Sequence, residues 1–436
     1  LETLDIACIF WRGIKKKWRL PATAVLRPTQ AQPTQEQEDE PMDHNSMAPE
    51  TLCSHMETRL LPPDNYALAT PIYQSVKFAV EDFDELKRIF RNERTGYFYS
   101  RHGNPTVAQL ENLLAELQGH ETGLATSTGI AAIAGTLLSL LKSGDRLVYF
   151  IESYRPSRVF AEKMLRKMGV QLTRLSIDDK AGIEAALALP DTKAVIFESM
   201  TNPQVRAPDI DLICSLAKKH KVLTILDHTF AGIQKIKAAP CDVVIHSLTK
   251  FASGHGDVMG GIILTNKALR QDLEENMVLL GATLDPHAAY LILRGMKTFH
   301  LRRRAQCDNA LIIAQWLEKH PKIASVSYPG LASHPQHEYF RASYEDFGSM
   351  LLFSLKNKNY PIEEMVARGQ LFKLAASLGS TESLITPALF FFAGDLSAEE
   401  RVHAGIDATS IRLSIGIENA KDLIRDLEQL LDRVND

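Results

Sequence analysis

No stretch of this chain approaches the roughly 20 consecutive apolar residues that a membrane-spanning helix requires. An excess of basic charge is also missing. Lysine and arginine number 49 against 53 aspartates and glutamates, a net charge of −4, whereas nucleic-acid-binding proteins carry a basic balance or stripe. Neither a membrane nor a nucleic acid is therefore an expected partner. Cysteine is sparse: Cys8, Cys53, Cys214, Cys241 and Cys307 lie scattered over 436 residues. No pair has metal-ligand spacing, so no metal is expected, and an odd number in a long chain does not form a disulfide framework. A reducing compartment, the cytoplasm, is the expectation.

What is present points to a globular protein. The chain is 45% hydrophobic and 23% charged, and its length suits two domains at about 150 residues each. The first stretch is unlike the rest. It opens at Leu1, carries the basic cluster Arg12, Lys15, Lys16, Lys17 and Arg19, and continues as a polar run from Pro28 to Glu40. Such composition cannot bury a core, so residues 1–46 read as a disordered extension. Glu2 and Asp5 speak against a transit peptide, which is poor in acids. Met42, Met47 and Met56 are alternative starts.

From Asn104 the pattern becomes regular. Pro105 opens a helix with Leu110, Leu113, Leu114 and Leu117 on one face, and Gly119 stops it. Helices are expected over Ile130–Leu141, Ser157–Met168 and Asp209–His220. Strands are expected over Arg146–Ile151, Val170–Leu175, Lys193–Glu198, Lys221–Leu226 and Asp242–His246. This alternation predicts an α/β domain with a parallel sheet covered on both faces. After Gly281 the rhythm changes to one long helix, Pro286–Leu317, then strands Ala324–Tyr328, Ser349–Leu355 and Ser410–Ile415, and a closing helix Ala420–Val434. That reads as a smaller α+β domain.

The chemical centre is the segment His246–His255, with Lys250 between an apolar strand and the glycine-rich turn Gly254–Gly256. Strand ends are where open α/β sheets place their ligand crevices. A lysine there can bond a carbonyl cofactor if the site lowers its pKa and excludes water. Asp227 ends another apolar strand, as a carboxylate paired with a pyridinium nitrogen would. Ser127, Thr128, Gly129 and Ile130 precede an alanine-rich helix, and a helix start exposes N–H groups to an anion. In an extended segment Ser247 and Thr249 point the same way and meet one phosphate. Tyr154 follows a strand and can stack on a flat ring. Arg412 sits in an alternating strand, where a guanidinium can grip a carboxylate by two parallel bonds. Taken singly, each has a plain alternative: a solvent lysine, a turn cap, a half-buried tyrosine, a surface arginine.

Together these segments resemble the Cys/Met-metabolism family of pyridoxal-phosphate (PLP) enzymes, from about Thr51 to the C-terminus. The most specific stretch is Ser247–Gly261, similar to that family's lysine signature; others are Tyr99–Thr106, Glu198–Pro203, Tyr328–Leu331 with Pro335–His337, and Arg412–Glu418. The resemblance implies the PLP-dependent transferase fold of type I: an arm over 47–103, a large PLP-binding domain over 104–285 with a mostly parallel sheet, and a small α+β domain over 286–436. It implies that Lys250 bonds PLP and shuttles protons, that Asp227 holds the ring nitrogen, and that Tyr154 stacks on the ring. Gly129, Ile130, Ser247 and Thr249 would bind the phosphate. Tyr99 and Arg101 would reach a neighbouring subunit's phosphate in a dimer of dimers. Arg412, helped by Ser377 and Asn202, would bind the carboxylate of an amino-acid substrate, and Tyr154, with a lowered pKa, would serve the leaving group.

The chain departs from the family at several places. Arg155-Pro156-Ser157 follows Tyr154 where two glycines, or glycine and cysteine, then threonine are usual. Ala376 stands where cystathionine-handling relatives have glutamate, Phe391-Phe392 where Thr-His is usual, and His228 where asparagine is usual. The expected activity is trans-sulfuration by a carbon–sulfur lyase, with a γ-replacement transferase as the alternative. A catalytically silent PLP-binding relative and a phosphate-binding protein that forms no bond to Lys250 are the readings of other classes.

Overall fold

The computed structural model describes residues 47–55, 67–91, 93–237 and 240–434; the expectations for the basic leader and the polar run lie outside them. The larger sheet has seven strands: β1 (Thr122–Thr126), β2 (Arg146–Phe150), β3 (Gln171–Leu175), β4 (Thr192–Glu198), β5 (Leu223–Asp227), β6 (Val243–Ser247) and β7 (Gly261–Thr265), in the order β1-β7-β6-β5-β4-β2-β3. β7 runs antiparallel to both neighbours, and the other pairings are parallel.

Alternate residues of each strand face opposite sides, and both sides are buried. Val148, Phe150, Val195, Phe197, Leu226, Val244 and Leu264 pack with helices Pro105–Gln118 and Ile210–His220. Leu147, Tyr149, Ile196, Ile225, Ile245 and Ile263 pack with Gly129–Leu140 and Lys267–Leu280. Two apolar faces leave no polar alternation along the strand, which is why these strands read as short apolar runs.

Several elements differ from expectation. β1 and β7 carry too little pattern to be read as strands. Gly123 in β1 is needed because a Cβ there would lie 2.9 Å from the Glu111 carbonyl oxygen. The long helix from Pro286 is two, Pro286–Met296 and Phe299–Lys319. Gly295 ends the first against the Ser253 carbonyl, 2.3 Å from where a Cβ would stand, and Arg302 donates back to the Gly295 carbonyl at 2.7 Å. The helix expected from Ser157 begins at Arg155, with Pro156 in its first turn. It then widens to i→i+5 bonding over Ala161–Leu165, tightens, and stops at Gly169.

The second sheet comprises β8 (Ile323–Ser327), β9 (Met350–Leu355), β10 (Lys373–Leu374), β11 (Leu384–Pro387) and β12 (Ser410–Ser414), in the order β10-β11-β12-β9-β8. Ile411 and Leu413 of β12 enter its core with Leu427 and Leu430 of the closing helix. The strand's two-residue period therefore turns Arg412 to the opposite face, where its side chain is also buried.

Candidate active site

β5 ends at Asp227, β6 at Ser247 and β4 at Glu198, and Tyr154 lies just beyond β2. The strands being parallel, these termini share the carboxyl edge of the sheet, where ligands of such folds bind. After Ser247 the chain turns, and the Lys250 N–H donates to the Ser247 carbonyl at 3.2 Å. The Lys250 ammonium donates to Ser377 Oγ at 3.0 Å. Burial, and secondarily the Arg412 guanidinium, lower the Lys250 pKa to about 8.

Arg412 arrives from the second sheet. It donates from Nη1 to Asn202 Oδ1 at 3.1 Å and from Nη2 to the Ser377 carbonyl at 2.6 Å. Its Nε is buried with no partner among the described residues, and its guanidinium carbon lies 4.3 Å from the centre of the Phe392 ring. All its partners are neutral, and burial lowers its pKa to about 9. A buried guanidinium without a counterion is a receptor for a carboxylate. Ser377 thus serves both groups, its hydroxyl meeting Lys250 and its carbonyl meeting Arg412.

Asp227 is buried, and its Oδ1 accepts the Thr229 N–H at 3.0 Å. Burial raises its pKa, and it is paired with no basic side chain among the described residues. Such a carboxylate favours a cation brought to it. The helix Gly129–Leu140 is capped by Thr128, whose Oγ1 accepts the Ala131 N–H at 3.0 Å. The N–H groups of Gly129 and Ile130 belong to the first turn and have no acceptor within the helix. Ser247 lies against this helix start, because a Cβ on Gly129 would stand 2.5 Å from Ser247 Cβ.

Two expectations are corrected. Ser247 and Thr249 do not lie side by side on an extended strand, because Leu248–Lys250 form a turn. The Thr249 hydroxyl instead meets Gly260, accepting its N–H at 3.1 Å. The Tyr154 phenol is not lowered in pKa: burial raises it, reinforced by Asp227 and Glu198, while Arg412 opposes. Tyr99 and Arg101 do not join the Lys250 group within one chain. Arg101 donates to the Val278 carbonyl at 3.2 Å and lies over the Tyr99 ring at 5.6 Å.

Residue-by-residue reading missed Glu198 and Arg158. Glu198 accepts the backbone N–H of Tyr154 on one oxygen and that of Asn202 at 3.3 Å on the other. It so joins the turn bearing Tyr154 to the Asn202 that holds Arg412. Burial, then Asp227, raise its pKa well above the ordinary carboxyl value. Its place at a strand end, beside Asp227 in the sheet, was the available signal. Arg158 is buried to 2% exposure and grips Asp395 at 3.0 and 2.7 Å, with the carbonyls of Ile151, Ser153 and Phe392 as further acceptors. It ties the turn after β2 to the segment whose Phe392 stacks on Arg412. Arg158→Ala should therefore destabilise the protein by about 3–5 kcal/mol, the cost of breaking a buried ion pair. Denaturant unfolding measures this, and a loss below about 1 kcal/mol contradicts the clamp. His228 is held neutral: burial lowers its pKa to about 4, and its ring nitrogens meet Ser199 Oγ at 2.6 Å and the Gln234 carbonyl at 2.7 Å.

The donor set fits PLP. Lys250 offers an amine to an aldehyde, Asp227 a buried carboxylate to a ring nitrogen, and the start of the Gly129 helix unpaired N–H groups to a phosphate. Comparison with known proteins agrees. The family of Cys/Met metabolism PLP-dependent enzymes matches residues 50–432. An L-methionine γ-lyase from Fusobacterium nucleatum subsp. polymorphum is 38% identical over 372 residues, 84% of this chain and 94% of its own. A Campylobacter jejuni structure assigned as an O-acetylhomoserine (thiol)-lyase superposes with a TM-score of 0.82 at 32% identity, over 88% of this chain and all of the other. That protein holds N′-pyridoxyl-lysine-5′-monophosphate. A cystathionine γ-synthase from Xanthomonas oryzae pv. oryzae, solved with aminoacrylate and cysteine, gives 0.81 at 34% identity over 89% of this chain and 98% of its own. Lyases and synthases thus both lie among the relatives, and the chain itself belongs to the Cys/Met metabolism family of PLP-dependent enzymes.

Proposed function

We propose that the chain is a carbon–sulfur lyase, releasing a thiol from the γ-position of a sulfur-containing amino acid. The observation that carries this reading is the bonded path Lys250–Ser377–Arg412. It sets an amine of lowered pKa beside a guanidinium that lacks a carboxylate, the pair of groups an α-amino acid needs. Bound PLP supplies the electron-withdrawing pyridinium that makes the α-proton acidic. Arg412, braced by Asn202, holds the substrate carboxylate and so presents the α-C–H to Lys250. Lys250, unprotonated above pH 8, takes that proton and delivers it elsewhere on the substrate. Asp227 would keep the ring nitrogen protonated, and the Gly129 and Ile130 N–H groups with Ser247 would hold the phosphate, Thr249 being engaged by Gly260. Tyr154 would stack on the ring, and its raised pKa keeps the phenol protonated, so that it can donate a proton to the departing sulfur.

The deciding experiment supplies cystathionine, homocysteine, methionine, cysteine and O-acetylhomoserine, the last with and without sulfide, and identifies the 2-oxo acid. Release of 2-oxobutanoate from a thioether or thiol is the expected result. Consumption of O-acetylhomoserine alone, and only with sulfide, makes the enzyme a γ-replacement transferase instead; pyruvate alone makes it a β-lyase.

Because burial depresses the Lys250 pKa, the charged amine is disfavoured and the free amine predominates above pH 8. Capture of PLP by the cofactor-free protein should accelerate as pH rises through about 8 and level beyond it. Stopped-flow absorbance reads this directly, and a rate still climbing toward 10.5, the ordinary lysine value, contradicts it.

The same reading makes the protein a dimer of dimers in the cytoplasm. The arm supports the assembly: Tyr99 is exposed and with Arg101 stands apart from the chain's own Lys250 group. Mixing a Tyr99→Phe/Arg101→Ala variant with Lys250→Ala should restore part of the activity, one site in each mixed dimer being intact. Verified mixed dimers without recovery rule out the shared site.

A further inference from the structure

We propose that Cys214 and Cys241 form an oxidisable dithiol, a modification site that a peroxide closes into an internal disulfide and a small thiol reopens. The two residues are 27 positions apart, and the fold brings their sulfurs to 3.6 Å. Cys214 lies on the helix Ile210–His220, and Cys241 stands two residues ahead of β6. Both side chains are buried, and both are thiols. A disulfide holds its sulfurs at about 2.05 Å, so closure asks for an approach of about 1.5 Å. Contact between buried thiols is by itself ordinary packing, but two further features set this pair apart. First, Cys241 lines a cavity of about 430 Å³ together with His120, Ile210, Gln234 and Asp242. Ile210 is one turn ahead of Cys214 and shares its helix face. A water's share of liquid volume is about 30 Å³, so the cavity has ample room to bring a small peroxide to the pair. Second, the two sulfurs share a hydrogen bond. Donated by Cys241, it outweighs burial and lowers the Cys214 pKa, and the thiolate is the reactive form.

The Cys214 thiolate attacks one oxygen of hydrogen peroxide. The O–O bond breaks, the leaving oxygen takes up the proton that the thiol gave up, and water departs. Cys214 is then a sulfenic acid. The Cys241 sulfur displaces its hydroxyl, the S–S bond forms, and the Cys241 proton leaves with that hydroxyl as a second water. Two thiols are oxidised and one peroxide is reduced. A small thiol reverses the change by exchange, becoming a disulfide itself; cytosolic disulfides are characteristically transient in this way. The site lies away from the catalytic edge. β6 runs from Val243 to Ser247, so Cys241 stands at the end of that strand opposite Lys250. Asp242, beside it, accepts the Thr224 N–H at 2.8 Å and the Thr224 hydroxyl at 2.7 Å, anchoring the start of β5.

The test exposes the wild-type holoenzyme, Cys214→Ser and Cys241→Ser to hydrogen peroxide without denaturant, blocks remaining thiols with iodoacetamide, and maps the peptides by mass spectrometry. The wild type should yield one linked pair, Cys214 with Cys241, lighter by about 2 Da than the two thiol peptides together and separated again by dithiothreitol. The link should form before Cys53 or Cys307 is oxidised, because its second step is intramolecular. Neither serine variant should form a link, and Cys241→Ser should stop with oxygen added to Cys214. Turnover of both reduced variants should match the wild type, since neither thiol touches the Lys250 group. Should a serine variant fail to fold, mapping of the wild type decides alone. A link that appears only in denaturant, a link from either cysteine to a third, oxygen added to Cys214 or Cys241 of the wild type without a link, or both remaining thiols while Cys307 is oxidised, each overturns the site.

Discussion

Lys250→Ala should lower turnover by about 10⁴-fold, the upper end of what a positioned acid–base contributes, and abolish the visible absorption of the lysine-bound cofactor. The size follows from the lysine's surroundings. It is the amine held beside the Arg412 guanidinium, and burial, with that guanidinium, lowers its pKa from 10.5 to about 8. Neither Ser377 nor Tyr154 can replace it: a serine hydroxyl is far too weak a base, and the Tyr154 phenol is raised in pKa. The variant should remain folded, since among the described residues the ammonium makes a single hydrogen bond, to Ser377 Oγ. Unaltered PLP absorbance and turnover in folded Lys250→Ala would falsify the assignment.

Asp227→Ala should cost about 10²–10³-fold in turnover, comparable with deleting one preorganised electrostatic group, even when cofactor stays bound. Burial raises the carboxyl's pKa, and among the described residues Thr229 alone counters this by hydrogen bonding. A protonated ring nitrogen reverses that balance, since an opposite charge within a few ångströms favours the ionised carboxylate. Each group then holds the other in its charged form, and alanine removes that coupling while leaving phosphate binding intact. Asp227→Asn, which preserves shape, should fall as far as Asp227→Ala if charge is what matters. Near-normal turnover in either, with cofactor occupancy verified by absorbance, excludes the role.

Much of this was legible before the fold. The buried strands were readable because both faces of the sheet are apolar, and Asp227 and Arg412 because they end or interrupt such a run, while Lys250 lies in the turn that follows one. Arg412 lies between Ile411 and Leu413, which enter the second core, so its opposite orientation follows from the strand period alone. Other features depended on long-range contacts that no local pattern carries. Glu198 gained its role by bridging Tyr154 to Asn202, and Arg158 by reaching Asp395, 237 positions away. The Ser247–Thr249 geometry failed because the chain turns at Leu248, where the extended assumption ends. The Tyr154 pKa failed because burial and two carboxylates outweigh the Arg412 charge, a balance visible only in three dimensions. The Phe391-Phe392 departure also changed meaning: Phe392 stacks on Arg412, taking the place of polar support with an aromatic face.

Reduction of the holoenzyme with borohydride, followed by peptide mapping, tests the central claim most directly. The account predicts that a single peptide, the one containing Lys250, gains the mass of the reduced pyridoxyl phosphate. A label on another lysine, or no label in protein that retains bound PLP, contradicts it.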